Sequence, residues 1–208
     1  MNKPITRKEL MYLVRSGEDV TKVNTSEITD MSHMFYVAKL FNQDISNWDV
    51  SNVTDMSHMF CEAKSFNQDI SNWDVGNVTY MNSMLREAKS FNKNISNWNV
   101  SKVTDMSHMF YDAKTFNQDI SKWNISNVTD MTYMFYGAKS FNQDLSKWNI
   151  SNVKNMKWMF CNDTSFNQDI SNWNVSSIEH KLNFFINNVN SSSSSNFRNS
   201  ISLLDYGY

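Results

Sequence analysis

The sequence predicts an α/β repeat solenoid with one short strand and one short helix in each 25-residue unit. The first observation is the period. A Phe-Asn pair begins at Phe41 and returns at this fixed interval as far as Phe166, and a tryptophan stands at a constant distance after each of these phenylalanines. A fixed period of about 20–50 residues is typical of stacked repeat arrays. The second observation is that two apolar periodicities alternate inside each unit.

The two periodicities predict the two elements of the unit. Polar and apolar residues alternate around Ile45, between Phe41 and Trp48, which indicates a short strand with one face inward. Ser51-Asn52 then offers an N-cap for a helix of about two to three turns. The apolar residues of that helix are Val53, Met56, Met59, Phe60 and Ala63. Because one unit cannot bury both elements alone, we expect the copies to stack.

Three segments follow from this pattern. Residues 1–22 lie outside the repeat and are predicted to form an N-terminal capping helix, since Thr6 and Glu9 have the spacing of a capping box and Gly17 gives a stop signal. Residues 23–186 hold about six repeats and a partial first unit. Residues 187–208 read as a Ser-rich linker and a C-terminal tail.

Composition excludes two classes of partner. A net charge of −2 and a pI of about 6.1 provide no basic field for nucleic acid. No apolar run is long enough to insert into a membrane. Cys61 and Cys161 share a register four units apart, so we expect both to be free thiols. No position suggests a catalytic group, because each polar column is repeated rather than unique, and the chain is interpreted as not an enzyme.

Repeated columns supply most of the predicted structure. The Phe, Trp and Met columns are interpreted as core, in which Met fills irregular gaps and contacts aromatic rings. The unbroken asparagine column that begins at Asn42 is expected to bond backbone groups of the neighbouring unit.

An acidic column beside serine is the first candidate for partner binding. Its aspartates are expected to project from the strand face, compensated either by corner N–H groups and lysines or by a basic partner. No cofactor is predicted, with calcium on this column as the alternative. The candidate residues are Asp44, Ser46, Asp69, Ser71, Asp119, Ser121, Asp144 and Ser146.

Aromatic residues at outward positions of the later units are the second candidate. Tyrosine and tryptophan are enriched where protein partners bind. The alternative is variation on a surface that tolerates it. These residues are Tyr111, Tyr133, Tyr136 and Trp158.

The phrase FNQDISNWDVSNVTDMSHMF at residues 41–60 resembles the BspA-type leucine-rich-repeat-like surface protein family. The resemblance implies a right-handed, leucine-rich-repeat-like solenoid. It also implies a non-enzymatic adhesion or interaction protein at the cell surface or outside the cell, with an unidentified protein as partner. Since residues 1–10 show no signal peptide, an intracellular scaffold or host-directed effector of a parasite or large virus is the alternative. Self-association through the exposed ends of the array is a further expectation.

Overall fold

The computed structural model describes residues 3–175 and residue 178. One α-helix, α1, spans Arg7–Ser16. From residue 23 to residue 175 the chain forms a stack of similar 25-residue units, each of which we call a rung, joined by parallel pairing between equivalent positions. The predicted tail at 187–208 and the end of the repeat at 179–186 lie outside the described residues.

A ladder of backbone hydrogen bonds joins each rung to the next. In one segment of each rung, every second N–H donates to a carbonyl of the next rung. The accepting residue stands immediately before the residue of the next rung that is equivalent to the donor. Met31 N donates to Asp55 O (2.9 Å), and Phe35 N donates to Met59 O (2.8 Å). The pattern continues to Gly137, whose N–H donates to the Cys161 carbonyl.

The predicted fold class is wrong in its secondary structure. Within residues 3–175 and 178, α1 is the single helix, and the inter-rung pairs are isolated bridges rather than strands. The expectation of one strand and one helix per repeat, and with it the α/β leucine-rich-repeat-like architecture, is therefore contradicted. The fold is a stack of turns around a packed aromatic core.

Alternating hydrogen bonds explain why no helix forms at residues 53–63. The N–H of His58 donates to Asn82 O in the next rung (2.9 Å), whereas the N–H of Met59 donates back within its own rung to Met56 O. An α-helix needs bonds to the residue four back. The φ angles of His58 (58°) and Glu62 (60°) lie in the left-handed region and break any right-handed helix. The apolar spacing that resembles a helix thus comes from consecutive turns.

Two turns explain why no strand forms at residues 41–48. The Asp44 carboxylate accepts the N–H of Ser46 (3.0 Å), and Trp48 N donates to Ile45 O (3.1 Å). The first contact is an Asx turn and the second a reverse turn, so the backbone bends where a strand would extend.

The core consists of aromatic and methionine side chains stacked from rung to rung, as predicted from their columns. The rings of Phe66 and Phe91 lie parallel with centroids 5.8 Å apart. Each tryptophan of the column that runs from Trp48 to Trp173 is almost fully buried, and its indole N–H donates to a carbonyl 28 residues earlier in the chain. For Trp98 that acceptor is Ile70 O at 3.1 Å.

The asparagine column forms the predicted ladder. Asn42 Oδ1 accepts the N–H of Asn67 (2.9 Å), and Asn67 Oδ1 in turn accepts the N–H of Asn92 (3.0 Å). The contact repeats as far as Asn167. These side chains satisfy backbone donors where the main chain lacks ladder partners.

Helix α1 lies against the first rung. Thr6 and Glu9 form the predicted capping box, and Gly17 ends the helix in the left-handed conformation (φ 74°). Leu10 is fully buried in the core. Arg7 donates to Asp30 O (3.0 Å) and Ser32 O (2.5 Å), which are the carbonyls that a preceding rung would bond. Its guanidinium therefore completes part of the ladder at this end.

The two cysteines are free and buried, as expected from their separation. Burial raises the pKa of the Cys61 thiol to about 11 and also raises that of Cys161. Both thiols are therefore protonated and unreactive at neutral pH.

We predict that Trp98→Ala lowers the free energy of unfolding by about 3–5 kcal/mol, because it removes a large buried ring and leaves Ile70 O without its donor. Urea denaturation measures the change. Asn97→Ala, at the exposed neighbouring position, is the control and should change stability little. An unchanged midpoint for Trp98→Ala would refute the core assignment.

We predict that Val37→Asn stabilises the protein by about 0.5–1 kcal/mol. Val37 is β-branched yet has φ 60°, which strains the backbone, and Asn adopts this region more readily. Asn162 occupies the equivalent position with φ 59°. The reciprocal control is Gly137→Val at φ 66°, where an added Cβ would meet the Asp112 carboxylate; thermal unfolding should show it destabilised. Equal stability of all three proteins would contradict the strain argument.

Candidate interaction surface

The aspartate column forms turns instead of projecting from a strand. Asp69 Oδ1 accepts the N–H of Ser71 (2.9 Å), and Asp144 Oδ1 accepts that of Ser146 (2.8 Å). The same contact recurs at the remaining candidates of this column. All these aspartates are exposed and the serines half-buried, and the pairs are Asp44 with Ser46, Asp69 with Ser71, Asp119 with Ser121, and Asp144 with Ser146.

The hydrogen bonds also set the charge of the column. The backbone N–H of Ser46 lowers the pKa of Asp44, with the adjacent Asp69 acting weakly in the opposite direction. The Ser71 N–H likewise lowers the pKa of Asp69, helped by Lys93. Each aspartate therefore has a structural role, because its carboxylate accepts a backbone N–H and so holds a turn. Across the described residues, no three His, Cys, Asp or Glu side chains are grouped to hold a metal ion.

The aromatic candidates, in contrast, are brought together. Tyr111 and Tyr136 stack with centroids 4.7 Å apart, and Tyr133 stacks on Trp158 at 6.2 Å. Tyr133 also meets Tyr136 edge-on at 5.6 Å. All four side chains are half-buried, so they form one continuous surface and not scattered rings.

The stack extends towards the N-terminus through histidines. His108 stacks on Tyr133 at 4.9 Å, and His33 stacks on His58 at 4.5 Å. We call this surface the ring stripe. It comprises His33, Tyr36, His58, Arg86, His108, Tyr111, Tyr133, Tyr136 and Trp158.

Arg86 lies in the middle of the ring stripe and was missed by the sequence interpretation. Its guanidinium carbon lies 4.8 Å from the centroid of the Tyr111 ring, a cation–π contact. Its column holds Tyr36, Tyr111 and Tyr136 in other rungs, and Cys61 in the preceding one. An arginine in a column of tyrosine and cysteine is a departure that is visible in the sequence, and it could have identified Arg86 as a candidate.

Burial determines the protonation of two histidines of the ring stripe, His58 and His108. Desolvation lowers the pKa of His58, and His33 and Arg86 act in the same direction. Desolvation and then Arg86 lower the pKa of His108. Both imidazoles are therefore neutral at pH 7, and the charge near the middle of the stripe is that of Arg86.

Comparison with known protein families assigns the chain to one family. Two overlapping regions, residues 9–115 and 91–198, match the family described as "Mycoplasma protein of unknown function, DUF285". The chain belongs to this family. The two overlapping matches agree with a repeat protein, whereas the finer BspA-type assignment goes beyond what the match shows. No curated protein and no solved structure matches the chain.

The DUF285 chain shows no helix, among its described residues, that is long and apolar enough to cross a bilayer.

One buried carboxyl lies outside the ring stripe. Asp163 stands in the column that holds Ala138 in the preceding rung, and it is fully buried. Its Oδ1 accepts the N–H groups of Ser165 and Phe166, while Oδ2 has no hydrogen-bond partner. Desolvation raises its pKa to about 7, against the two backbone hydrogen bonds that lower it.

We predict that Asp163 makes stability fall as pH rises from about 4 to about 7. In this window the folded protein keeps the Asp163 proton that the unfolded chain loses, and above pH 7 the loss is complete. A shift of about three pKa units sets an upper bound of about 4 kcal/mol. Asp163→Ala, the residue of the preceding rungs, should abolish this dependence. The check is the wild-type minus variant difference in unfolding free energy at pH 5 and pH 8; equal differences would contradict the prediction.

Proposed function

We propose that this chain is a non-enzymatic protein-interaction module that contacts its partner through the ring stripe. The observation that carries the proposal is the stacking of Tyr111, Tyr133, Tyr136 and Trp158 beside Arg86. Tyrosine, tryptophan and arginine dominate the energetics of protein interfaces.

Preorganisation supports this assignment. The backbone beneath the stripe is held on both sides by the inter-rung ladder; the Tyr133 N–H, for example, donates to Lys157 O (2.9 Å). Each ring is also packed against its neighbours. Because few rotamers remain to be lost on binding, such a surface gains affinity from rings that are already ordered.

The non-enzymatic part of the proposal rests on the repeated polar residues. The carboxylates of the acidic column hold turns, and Cys61 is a buried, protonated thiol. We therefore favour binding over catalysis.

Adhesion at the cell surface is the version of this function that a BspA-type relationship favours, and the phrase at residues 41–60 supports that relationship. The second version is an intracellular scaffold or host-directed effector. Two buried free thiols favour it, since a reducing compartment keeps thiols free. Fractionation of the source cells distinguishes the two versions: the chain should appear either on intact, protease-accessible surfaces or in the soluble interior.

We predict that the double variant Tyr133→Ala/Trp158→Ala weakens partner binding by about tenfold or more, because it removes two stacked rings from the proposed contact. Partners are first captured from extracellular and cytosolic host proteins, and affinities are then measured by surface plasmon resonance.

The matched control is Tyr12→Ala. Tyr12 is a tyrosine on α1, 70% exposed and outside the stripe, so its loss should leave binding unchanged. Circular dichroism and thermal unfolding establish that both variants are folded. A folded double variant that binds every captured partner as the wild type does would refute the proposal.

A further inference from the structure

A groove at the N-terminal end of the array lies between the end of α1 and the first Phe-Asn corner. It has a volume of about 560 Å³ and opens to solvent. Its lining includes Arg15 and Gly17 on one side and Leu40, Phe41 and Asn42 on the other. None of its lining residues belongs to the ring stripe, so the groove is a second accessible surface of the molecule.

The backbone beside the groove continues the register of the repeat. Trp48 Nε1 donates to Val20 O (3.0 Å), just as Trp73 Nε1 donates to Ile45 O (3.2 Å). Val20 thus takes the place that Ile45 has one period later. By the same count, Ser16-Gly17 stands where each later rung has its Phe-Asn pair.

The missing asparagine leaves one step of the asparagine ladder open. In the later rungs the N–H of this residue donates to the amide oxygen of the preceding rung, as Asn67 does to Asn42. The N–H of Asn42 itself has no acceptor within residues 3–175, because Gly17 has no side chain. A Cβ at Gly17 would meet no atom within 4 Å, so the groove is open at this place. An oxygen atom of a ligand can therefore reach the Asn42 N–H.

The missing phenylalanine leaves the end of the ring stack uncovered. Phe66 packs between Phe41 and Phe91, with ring centroids 6.1 and 5.8 Å from its own. Phe41 has such a neighbour in the next rung alone, and it is half-buried where Phe66 is fully buried. Because Phe41 also lines the groove, an aromatic ring that enters there can continue the stack.

Leu40 provides an exposed apolar contact at the same corner. The later rungs carry serine or threonine in its column, and the Thr115 hydroxyl donates to Lys89 O of the preceding rung (2.9 Å). Leu40 cannot form this bond and is 89% exposed, the highest value for a large apolar side chain among the described residues. A leucine exposed beside an apolar groove is typical of a surface that a partner covers.

The charge of the groove favours an acidic ligand. Arg15 and Lys39 line it, and no aspartate or glutamate does. Neither cation forms an ion pair with a carboxylate in the part of the chain that the structure describes. A carboxylate that accepts the Asn42 N–H would share the groove with these two cations. Aspartate therefore suits this place better than the neutral asparagine of the repeat.

The rest of this end is closed to a further rung. Helix α1 covers it, with Leu10 fully buried, and Arg7 already donates to the carbonyls of Asp30 and Ser32. A second copy that stacked here as another rung would have to displace both. The groove therefore fits a short segment of a partner chain and not a whole repeat.

We propose that this groove binds a short segment of a partner protein in which an aromatic residue is followed by aspartate. The aromatic ring stacks on Phe41 and contacts Leu40, and the aspartate carboxylate accepts the Asn42 N–H beside Arg15 and Lys39. The segment thereby supplies the two side chains that Ser16-Gly17 lacks. This site goes beyond the function proposed for the ring stripe and does not depend on it.

The test uses three capped tetrapeptides. Acetyl-Ala-Phe-Asp-Ala-amide is titrated into the ¹⁵N-labelled 208-residue chain at low ionic strength, and NMR follows the Asn42 N–H. One comparison peptide has alanine in place of phenylalanine, and the other has asparagine in place of aspartate. The expected result is a saturable shift with the first peptide. Affinity should fall about tenfold or more without the ring and about threefold or more without the charge.

Two variants and a matched control make the test specific. Gly17→Asn places an amide in the open space before Asn42, and asparagine adopts the positive φ of Gly17 (74°), so the variant should fold and lose saturable binding. Leu40→Ser restores the residue of its column and should weaken the peptide severalfold. Tyr80→Asp likewise restores the residue of its column at a 49% exposed position outside the groove, so it should leave peptide binding unchanged.

Thermal unfolding establishes that the variants are folded. The proposal would be overturned by the absence of a saturable shift in the wild type, or by unchanged peptide binding in Leu40→Ser or in folded Gly17→Asn. A dimer that Gly17→Asn abolishes, or binding to anionic lipid vesicles that Leu40→Ser abolishes, would overturn it if no peptide bound. Tyr133→Ala/Trp158→Ala should bind the peptide as the wild type does, and a loss there would contradict the separation of the two sites.

Discussion

The inter-rung ladder is the constraint on which the rest of the structure depends. In one segment of each rung, every second N–H donates to the carbonyl just before its equivalent residue in the next rung, which keeps the rungs equal in length and places equivalent side chains above one another. The ladder satisfies only part of the backbone. Other N–H groups donate to carbonyls of their own rung, and several more are met by short polar side chains, such as Asn42 towards Asn67 and Asp44 towards Ser46, because a buried N–H without a partner is costly. The abundance of asparagine and aspartate in the repeat is a consequence of this ladder.

The same ladder explains which predictions from sequence succeeded. Phe66, Trp98 and the asparagine column were predicted correctly because packing and amide bonding depend on the repeat register alone, whatever the local conformation. The predicted helix failed because its apolar spacing is equally produced by successive turns, and single-sequence periodicity cannot distinguish the two. The left-handed φ angles of His58 and Glu62 exclude the helix and leave the turns. Neither residue type predicts a positive φ from the sequence alone.

At the candidate surface, too, the sequence predicted some features and not others. The aromatic residues Tyr111, Tyr133, Tyr136 and Trp158 were recognised as a group because they depart from the repeat in adjacent rungs. Their mutual stacking, and the place of Arg86 among them, depend on the stagger between two columns, which only the structure supplies. The acidic column was expected to be compensated either by corner N–H groups and lysines or by a basic partner. Asx turns along the column supply the corner N–H groups, and partner binding at these aspartates stays a prediction.

Regularity and the proposed function therefore occupy different positions in this family member. The residues that repeat most strictly are those whose side chains complete the backbone or the core. The column that begins at His33 behaves differently. Imidazole, hydroxymethyl, phenol and indole side chains all occur there at φ angles of 57–60°, since the N–H at each described step up to Tyr133 donates to the next rung whatever the side chain is. A position whose structural role is carried by the main chain leaves its side chain free to vary. Such a column is where a repeat protein can acquire a specific partner without altering its fold, and the change from histidine to Tyr133 and Trp158 in the later rungs is an instance of that freedom.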